Sequence, residues 1–263
     1  MAETQYSIIK AAQPKAPPRN LIKISGDRDI LASLEAFGPS TFGDNIQEMR
    51  ALYSHPQTGQ IINFRAPTTA ESGIIASCDF PTRAKKNIFD PNWLQAGPIV
   101  RAKEGFFVNP PKDAKGNFVT DEETLKSYLN ETKSIRVNNG DIYVVPDNET
   151  LKDFGYAEYG TFKQGVQKGR EFAESGLARV LEHTKEESAR YLGEISDSKV
   201  YKLGVNVRGF DSVKDPVLMV VGLYSNRNSN DYRLGVFGDG WCGKGGFAFG
   251  VLDPSAEGAS QKS

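Results

Sequence analysis

The stretch from Phe162 to Ile195 constrains the fold more than any other part of the chain, because apolar or small residues recur there at helical spacing. Phe162, Val166, Gly169, Ala173, Leu177, Val180, Leu181, Leu192 and Ile195 fall on one stripe of a helical wheel. Lys163, Gln167, Lys168, Arg170, Glu171, Glu174, Glu182, Glu186 and Arg190 take the other side, where they must be solvated or paired. Thr161 with Gln164 has the form of a capping box, and Thr184 with Glu187 repeats that form inside the run. The expectation is therefore a long amphipathic helix kinked near His183, or two helices in series over 162–182 and 185–195.

The segments before it alternate between helix and hairpin signals. Asp27 is placed to cap a helix through Ile30, Leu31, Leu34 and Phe37, stopped by Gly38-Pro39, and Asp44 with Gln47 opens a second, carrying Ile46, Met49, Leu52 and Tyr53. Ile61 to Phe64 reads as a short strand, and Thr68 with Glu71 is a capping box for a helix through about Ser77. Pro98–Ala102 and Phe106–Asn109 flank Lys103-Glu104-Gly105, a hairpin with Gly105 expected in the left-handed position. Thr120 or Asp121 caps a helix through Leu129, and Asn138-Asn139-Gly140 joins two further short strands. Beyond Val200 four apolar or alternating runs, ending at Leu252, predict a mostly antiparallel sheet.

The fold class expected is α+β: N-terminal helices with short hairpins, then one long amphipathic helix packed on a C-terminal sheet. Residues 1–19, with Pro14, Pro17 and Pro18, read as an arm, 20–253 as a single domain that would divide, if at all, near 155, and 254–263 as a tail.

Charge narrows the function. With 32 basic against 33 acidic residues there is no global field to draw the chain onto nucleic acid or an anionic membrane, so neither is the expected partner. No apolar run reaches the roughly 18 residues of a membrane helix, and the N-terminal residues lack a basic-then-apolar layout, which points to the cytoplasm. Cys78 and Cys242 stand far apart and define neither a disulfide framework nor a metal site. No cofactor or metal is expected.

The string Gly238-Asp-Gly-Trp-Cys-Gly-Lys-Gly-Gly246 matches two phosphate-loop spacings but meets the context of neither. A dinucleotide fingerprint must open a helix, whereas Phe247 onward reads as a strand, and a phosphate loop needs a hydroxyl where Gly245 stands. Asp239, Trp241 and Lys244 could still line a ligand pocket. Asn226 to Asp231 lacks the ligand set of a calcium loop. His55 and His183 are the only histidines, and His183 suits the C-terminus of a helix better than a catalytic dyad.

Two features suggest binding instead. Gly165, Gly169 and Ala173 are four apart, so another element, or a second copy of the chain, could approach closely. Arg83, Lys85 and Lys86 form a compact basic loop, and Phe154, Tyr156, Tyr159 and Phe162 could stack a single strand of nucleic acid beside it. The first expectation is a non-catalytic, self-associating interaction or assembly protein. The alternatives are a small-ligand or nucleotide-binding protein or enzyme using the 238–246 loop, and single-strand nucleic-acid binding.

Overall fold

The computed structural model describes residues 17, 19–25, 29–78, 93–130, 134–136, 142–144, 151, 153–198, 201–226, 233–240 and 245–252. A hairpin of β1 (Leu21–Ile24) and β2 (Ile30–Ser33) opens the fold, followed by β3 (Phe37–Ser40), α1 (Phe42–Met49), β4 (Tyr53–Ser54), β5 (Ile61–Ile62) and α2 (Thr69–Ser77). Next come β6 (Trp93–Arg101), β7 (Gly105–Val108), α3 (Glu122–Leu129), β8 (Ser134–Arg136), β9 (Ile142–Val144), β10 (Gly155–Glu158) and β11 (Gly165–Gln167). The short helices α4 (Gly169–Ala173), α5 (Gly176–Leu181) and α6 (Tyr191–Ser196) lead to β12 (Val205–Arg208), β13 (Val217–Asn226), β14 (Arg233–Gly240) and β15 (Gly246–Ala248).

The organising element is β6. Its sequence, WLQAGPIVR, is buried at all but its two end residues, the near-continuous pattern of a strand covered on both faces. One edge pairs with β13 antiparallel along its whole length, from Trp93 opposite Tyr224 to Arg101 opposite Val217. The other edge is divided: β15 runs parallel to Trp93 and Leu94, and β7 runs antiparallel to Ile99–Arg101. Outward from these the order is β11-β12-β14-β13-β6-β7-β10-β9-β8, with β3 beyond β15, eleven strands in one sheet.

Side chains of alternate strand positions meet the helices on one face. Leu94, Ile99, Phe106, Val108, Val205, Val207, Val221, Leu223, Leu234 and Val236 pack there with Ile75, Phe172, Leu177, Val180 and Leu192. On the other face Val100, Phe107 and Phe154 lie under Leu125 of α3. Among the described residues that second layer lies over β6, β7 and β10, with Leu218 of β13 packed beside it.

The long helix expected over 162–195 does not exist, and the fold is a large mixed sheet with short helices rather than one long helix on an antiparallel sheet. The apolar period is real, but three short helices share it while the chain turns between them. Gly165 adopts φ 86° and starts an edge strand paired with β12. The Ser175 hydroxyl donates to Phe172 O and accepts from Ala178 N, closing α4 and capping α5. His183, at φ 53°, follows the end of α5 in a conformation no helix interior tolerates.

Neither the box expected at the start of the run nor the one expected inside it forms. Thr161 donates to Glu158 O, Gln164 donates to Phe210 O, and Thr184 accepts from Glu186 N in a local turn.

Other local expectations divide in the same way. The Thr68–Glu71 capping box and the Asp121 cap form, as do the β6–β7 and β8–β9 hairpins. Gly105, however, lies within β7 opposite Glu158, and Ile30–Ser33 is a strand, because Ile30 and Ala32 pair across to Ile24 and Ile22. β12 is parallel to β14 and β15 is separated from it by β13 and β6, so the C-terminal strands are not a sheet of their own. Among the described residues no helix is long and apolar enough to cross a membrane.

Candidate functional site

The part of the second sheet face that α3 leaves uncovered carries an unusual set of side chains. Strand register explains how they meet. Trp93 on β6 lies opposite Tyr224 on β13, Tyr224 opposite Gly235 on β14, and Gly235 opposite Asn206 on β12. The next row holds Gly222, Phe237 and Arg208. Because side chains alternate along a strand, residues two apart share a face, so Arg233, Gly235 and Phe237 fall on one face of β14, ahead of the register shift that follows Phe237.

The glycines let the rings lie down. A Cβ on Gly235 would stand 2.4 Å from the Phe237 ring, and one on Gly222 would stand 3.0 Å from the Trp93 indole. The Trp93 ring centre is 5.2 Å from that of Tyr224 and 5.1 Å from that of Phe237, spacings typical of packed aromatic pairs. The Arg208 guanidinium sits 5.9 Å from the centre of Phe237. With its amide oxygen turned toward Arg208, Asn206 accepts from Nη2 at 2.5 Å and Nε at 2.9 Å, which fixes that guanidinium. Arg233 Nε donates to Leu203 O at 3.2 Å.

Together these residues enclose an open hollow of about 280 Å³ lined by Trp93, Asn206, Arg208, Tyr224, Arg233, Gly235 and Phe237. It offers aromatic faces, two guanidinium groups and an amide. Among the described residues its lining offers stacking surfaces and guanidinium groups, the chemistry of binding a planar anion.

Of the pocket residues expected from sequence, Asp239 is exposed two residues after Phe237, beyond a register shift in β14, and does not line the hollow. It stands beside Gly209, whose added Cβ would meet Asp239 Oδ1 at 2.3 Å. Trp241 and Lys244 lie outside the described residues, as do Arg83, Lys85 and Lys86.

Gly165 is on the edge strand β11, where an added Cβ would meet no atom of the described residues within 4 Å, whereas Gly169 and Ala173 face α6 of the same chain. A Cβ on Gly169 would stand 2.3 Å from Ser196 O, and one on Gly193 would stand 3.2 Å from the Ala173 Cβ. The four aromatic residues at 154–162 part company. Phe154 and Tyr156 pack with Phe107 under α3, and Tyr159 and Phe162 pack with Phe106 toward the main core.

Trp93, Asn206, Arg208, Tyr224, Arg233 and Phe237 were not singled out by local sequence patterns. A usable signal does exist in the outward positions of the alternating strands, where VNVR and RLGVFGD place Asn, Arg and Phe where a plain solvated face would carry Lys, Glu or Thr. Among the described residues no three His, Cys, Asp or Glu side chains are grouped to hold a metal ion. Comparison of the chain with protein families, curated proteins and solved structures finds no match.

Proposed function

We propose that this protein binds, without transforming, a small planar anion of the nucleotide kind on the open face of its sheet. The observation that carries the proposal is the packed Trp93–Tyr224–Phe237 set flanked by Arg208 and Arg233. A base can stack on those rings, and a phosphate can take charge-assisted hydrogen bonds from the guanidinium groups. One nucleotide suits the site better than a polymer. The hollow is small at about 280 Å³, and a chain of net charge −1 has no broad field to hold many phosphates. Covering Gly222 and Gly235 accounts for the flat lie of the rings; the Arg208 guanidinium beside Phe237 and the Trp93–Tyr224 pair is what favours a ligand.

The test is calorimetric titration with the four ribonucleoside monophosphates and their uncharged nucleosides. Nucleotides are expected to bind more tightly than nucleosides, and Arg208→Gln is expected to weaken the nucleotide by about 10- to 100-fold, the usual range for a hydrogen bond to a charged group. Phe237→Leu should weaken both. A decamer of thymidylate binding far more tightly than any monomer, with a steep salt dependence, would move the assignment to single-stranded nucleic acid. No binding of either class would end both readings.

Self-association is a second reading, favoured by the outer edge of β11, where Val166 is 48% exposed beside Gly165. Its test is native mass spectrometry, in which a single 28.9 kDa chain at high concentration would exclude it.

A further inference from the structure

A second cavity lies where the sheet forks. Between Leu94, where β15 leaves β6, and Ile99, where β7 joins it, the edge of β6 is closed by groups from elsewhere. Thr69 packs so tightly on Gly97 that a Cβ there would be 2.8 Å from Thr69 N, and Asn109 N donates to Pro98 O at 3.0 Å. Beside this fork is a cavity of about 450 Å³ whose lining includes Pro67, Pro98, Pro110, Pro111, Phe118 and Phe154. An apolar cavity of about 150 Å³ accepts benzene, so this one has room for two fused rings, and its volume is within the range of small-molecule sites.

We propose that this cavity is a ligand site for an uncharged aromatic molecule of two fused rings, held by its faces against the prolines and Phe118. The polar and charged groups around the cavity argue for a neutral ligand, because they already engage one another. Asn109 Oδ1 accepts from Thr69 N, and its Nδ2 donates to Thr69 Oγ1 and Asp153 O. The Thr68 hydroxyl donates to the fully buried Asp153 carboxylate at 2.5 Å, and Thr68 N donates to Glu71 at 2.9 Å. The Arg65 guanidinium grips Glu71 through two bonds of 2.7 Å. Lys112, whose ammonium is 5.1 Å from the centre of Phe118, is likewise engaged within the chain. An ionic ligand entering here would give up its hydration and gain no counter-charge in return.

The walls argue for a flat ring. Proline rings carry no N–H and have no side-chain freedom to lose on binding. They are complementary to aromatic faces, as in the aromatic-lined grooves that hold proline-rich segments; here the prolines form the wall and the aromatic group is the guest. Phe118 adds an aromatic partner and is held in place. It bridges to Lys112 across a hairpin, whose turn is closed by the Asp113 carboxylate accepting from Lys115 N at 2.8 Å and Asn117 N at 2.9 Å. Behind it, Asn109 and Asp153 are fixed at φ 48° and 63°, strained positions that the network pins. The cavity is therefore formed before a ligand arrives.

The experiment is isothermal titration of the full chain with neutral 1-naphthamide, with the anion 1-naphthoate, and with the saturated amide 1-adamantanecarboxamide. The wild type is expected to bind 1-naphthamide at least about tenfold more tightly than 1-naphthoate, since the carboxylate is desolvated without a partner. It should prefer 1-naphthamide to the saturated amide by about 2- to 10-fold, the margin of an aromatic pair. Phe118 is only half-buried, so its replacement leaves the core intact; Phe118→Ala should weaken 1-naphthamide, and Phe118→Leu, which keeps the bulk, should narrow its lead over the saturated amide. Lys112→Gln and Trp93→Ala should leave its affinity unchanged, the latter separating this cavity from the hollow on the sheet face. Tighter binding of 1-naphthoate, equal or tighter binding of the saturated amide, indifference to Phe118→Ala, sensitivity to Trp93→Ala, or no binding of 1-naphthamide would each overturn the proposal.

Discussion

The carboxylate of Glu182 closes the first turn of a helix ten residues ahead of it: it accepts from the backbone amides of Leu192 and, at 2.8 Å, Arg190. Glu182 is buried, and burial pushes its carboxyl up to about 7, against the pull of the Leu192, Tyr191 and Arg190 amides and with a small push from Glu194. The sign of the consequence follows from linkage. Below the unfolded value of 4.5 the group is protonated in both states. Between 4.5 and about 7 the folded chain holds a proton that the unfolded chain has released, so stability falls as pH rises, and above that window the loss is complete. The full span is roughly 2–4 kcal/mol at 1.36 kcal/mol per pKa unit. Urea denaturation of wild type and Glu182→Gln at pH 5 and pH 8 isolates this group. The wild type's advantage over the variant is expected to shrink at pH 8, and an advantage that grows instead would refute the assignment.

Gly169 faces Ser196 and Asp197 so closely that a Cβ would fall 2.3 Å from one backbone oxygen and 2.9 Å from the next amide nitrogen. Neither neighbour is a flexible side chain, so α4 and α6 must separate to admit a methyl group. Gly169→Ala is expected to destabilise the chain by about 2 kcal/mol or more, as overpacking of a fixed contact does. Denaturant midpoints measured at several protein concentrations check this. A loss that disappears on dilution would assign the contact to a second copy, whereas a concentration-independent loss assigns it to the fold.

What was legible in the sequence was local. Thr68 with Glu71 forms as read, and of the two caps left open, Thr120 or Asp121, it is Asp121 that accepts from Thr124 N. The hydrophobic stripe at 162–195 was legible as apolar positions but misleading as a helix, because Ser175, Gly165 and His183 redirect the chain through hydrogen bonds and positive φ values that periodicity does not register. The fork along β6 and the parallel pairing of β12 with β14 depend on partners more than a hundred or about thirty residues apart. The sheet-face hollow is hidden for the same reason. Trp93, Arg208, Tyr224 and Phe237 are neighbours only once four strands are in register, and of the residues expected to line a ligand pocket only Asp239 is among the described residues.

The Arg65–Glu71 pair joins the 251 bridge to the start of α2, since Arg65 pairs with Val251 through its backbone while its side chain holds Glu71. Glu71 is 2% exposed and also accepts from Thr68 N at 2.9 Å. Removing the guanidinium leaves a desolvated carboxylate without its cation, which typically costs about 3–5 kcal/mol. Arg65→Met is therefore expected to be strongly destabilising, and the double variant Arg65→Met with Glu71→Gln should recover part of the loss. Chemical denaturation of the three variants tests this, and a double variant no more stable than Arg65→Met would show that the buried charge is not the cause.

Asn109 combines a strained backbone with a fully engaged side chain, and two substitutions separate the contributions. At φ 48° alanine is disfavoured and glycine is not, by roughly 1 kcal/mol. Both remove the side-chain bonds to Thr69 and Asp153 O, leaving buried partners unmatched at about 1–3 kcal/mol each where water cannot replace the lost group. Asn109→Ala is thus expected to be the more damaging change, with Asn109→Gly retaining about 1 kcal/mol of the difference, and Asn109→Asp keeping an acceptor for Thr69 N but losing the donor to Asp153 O. Equilibrium unfolding of the three, ranked against wild type, checks the order. Glycine less stable than alanine would mean that unfolded-chain entropy outweighs strain at this position and that the Asn109 backbone is not held under tension.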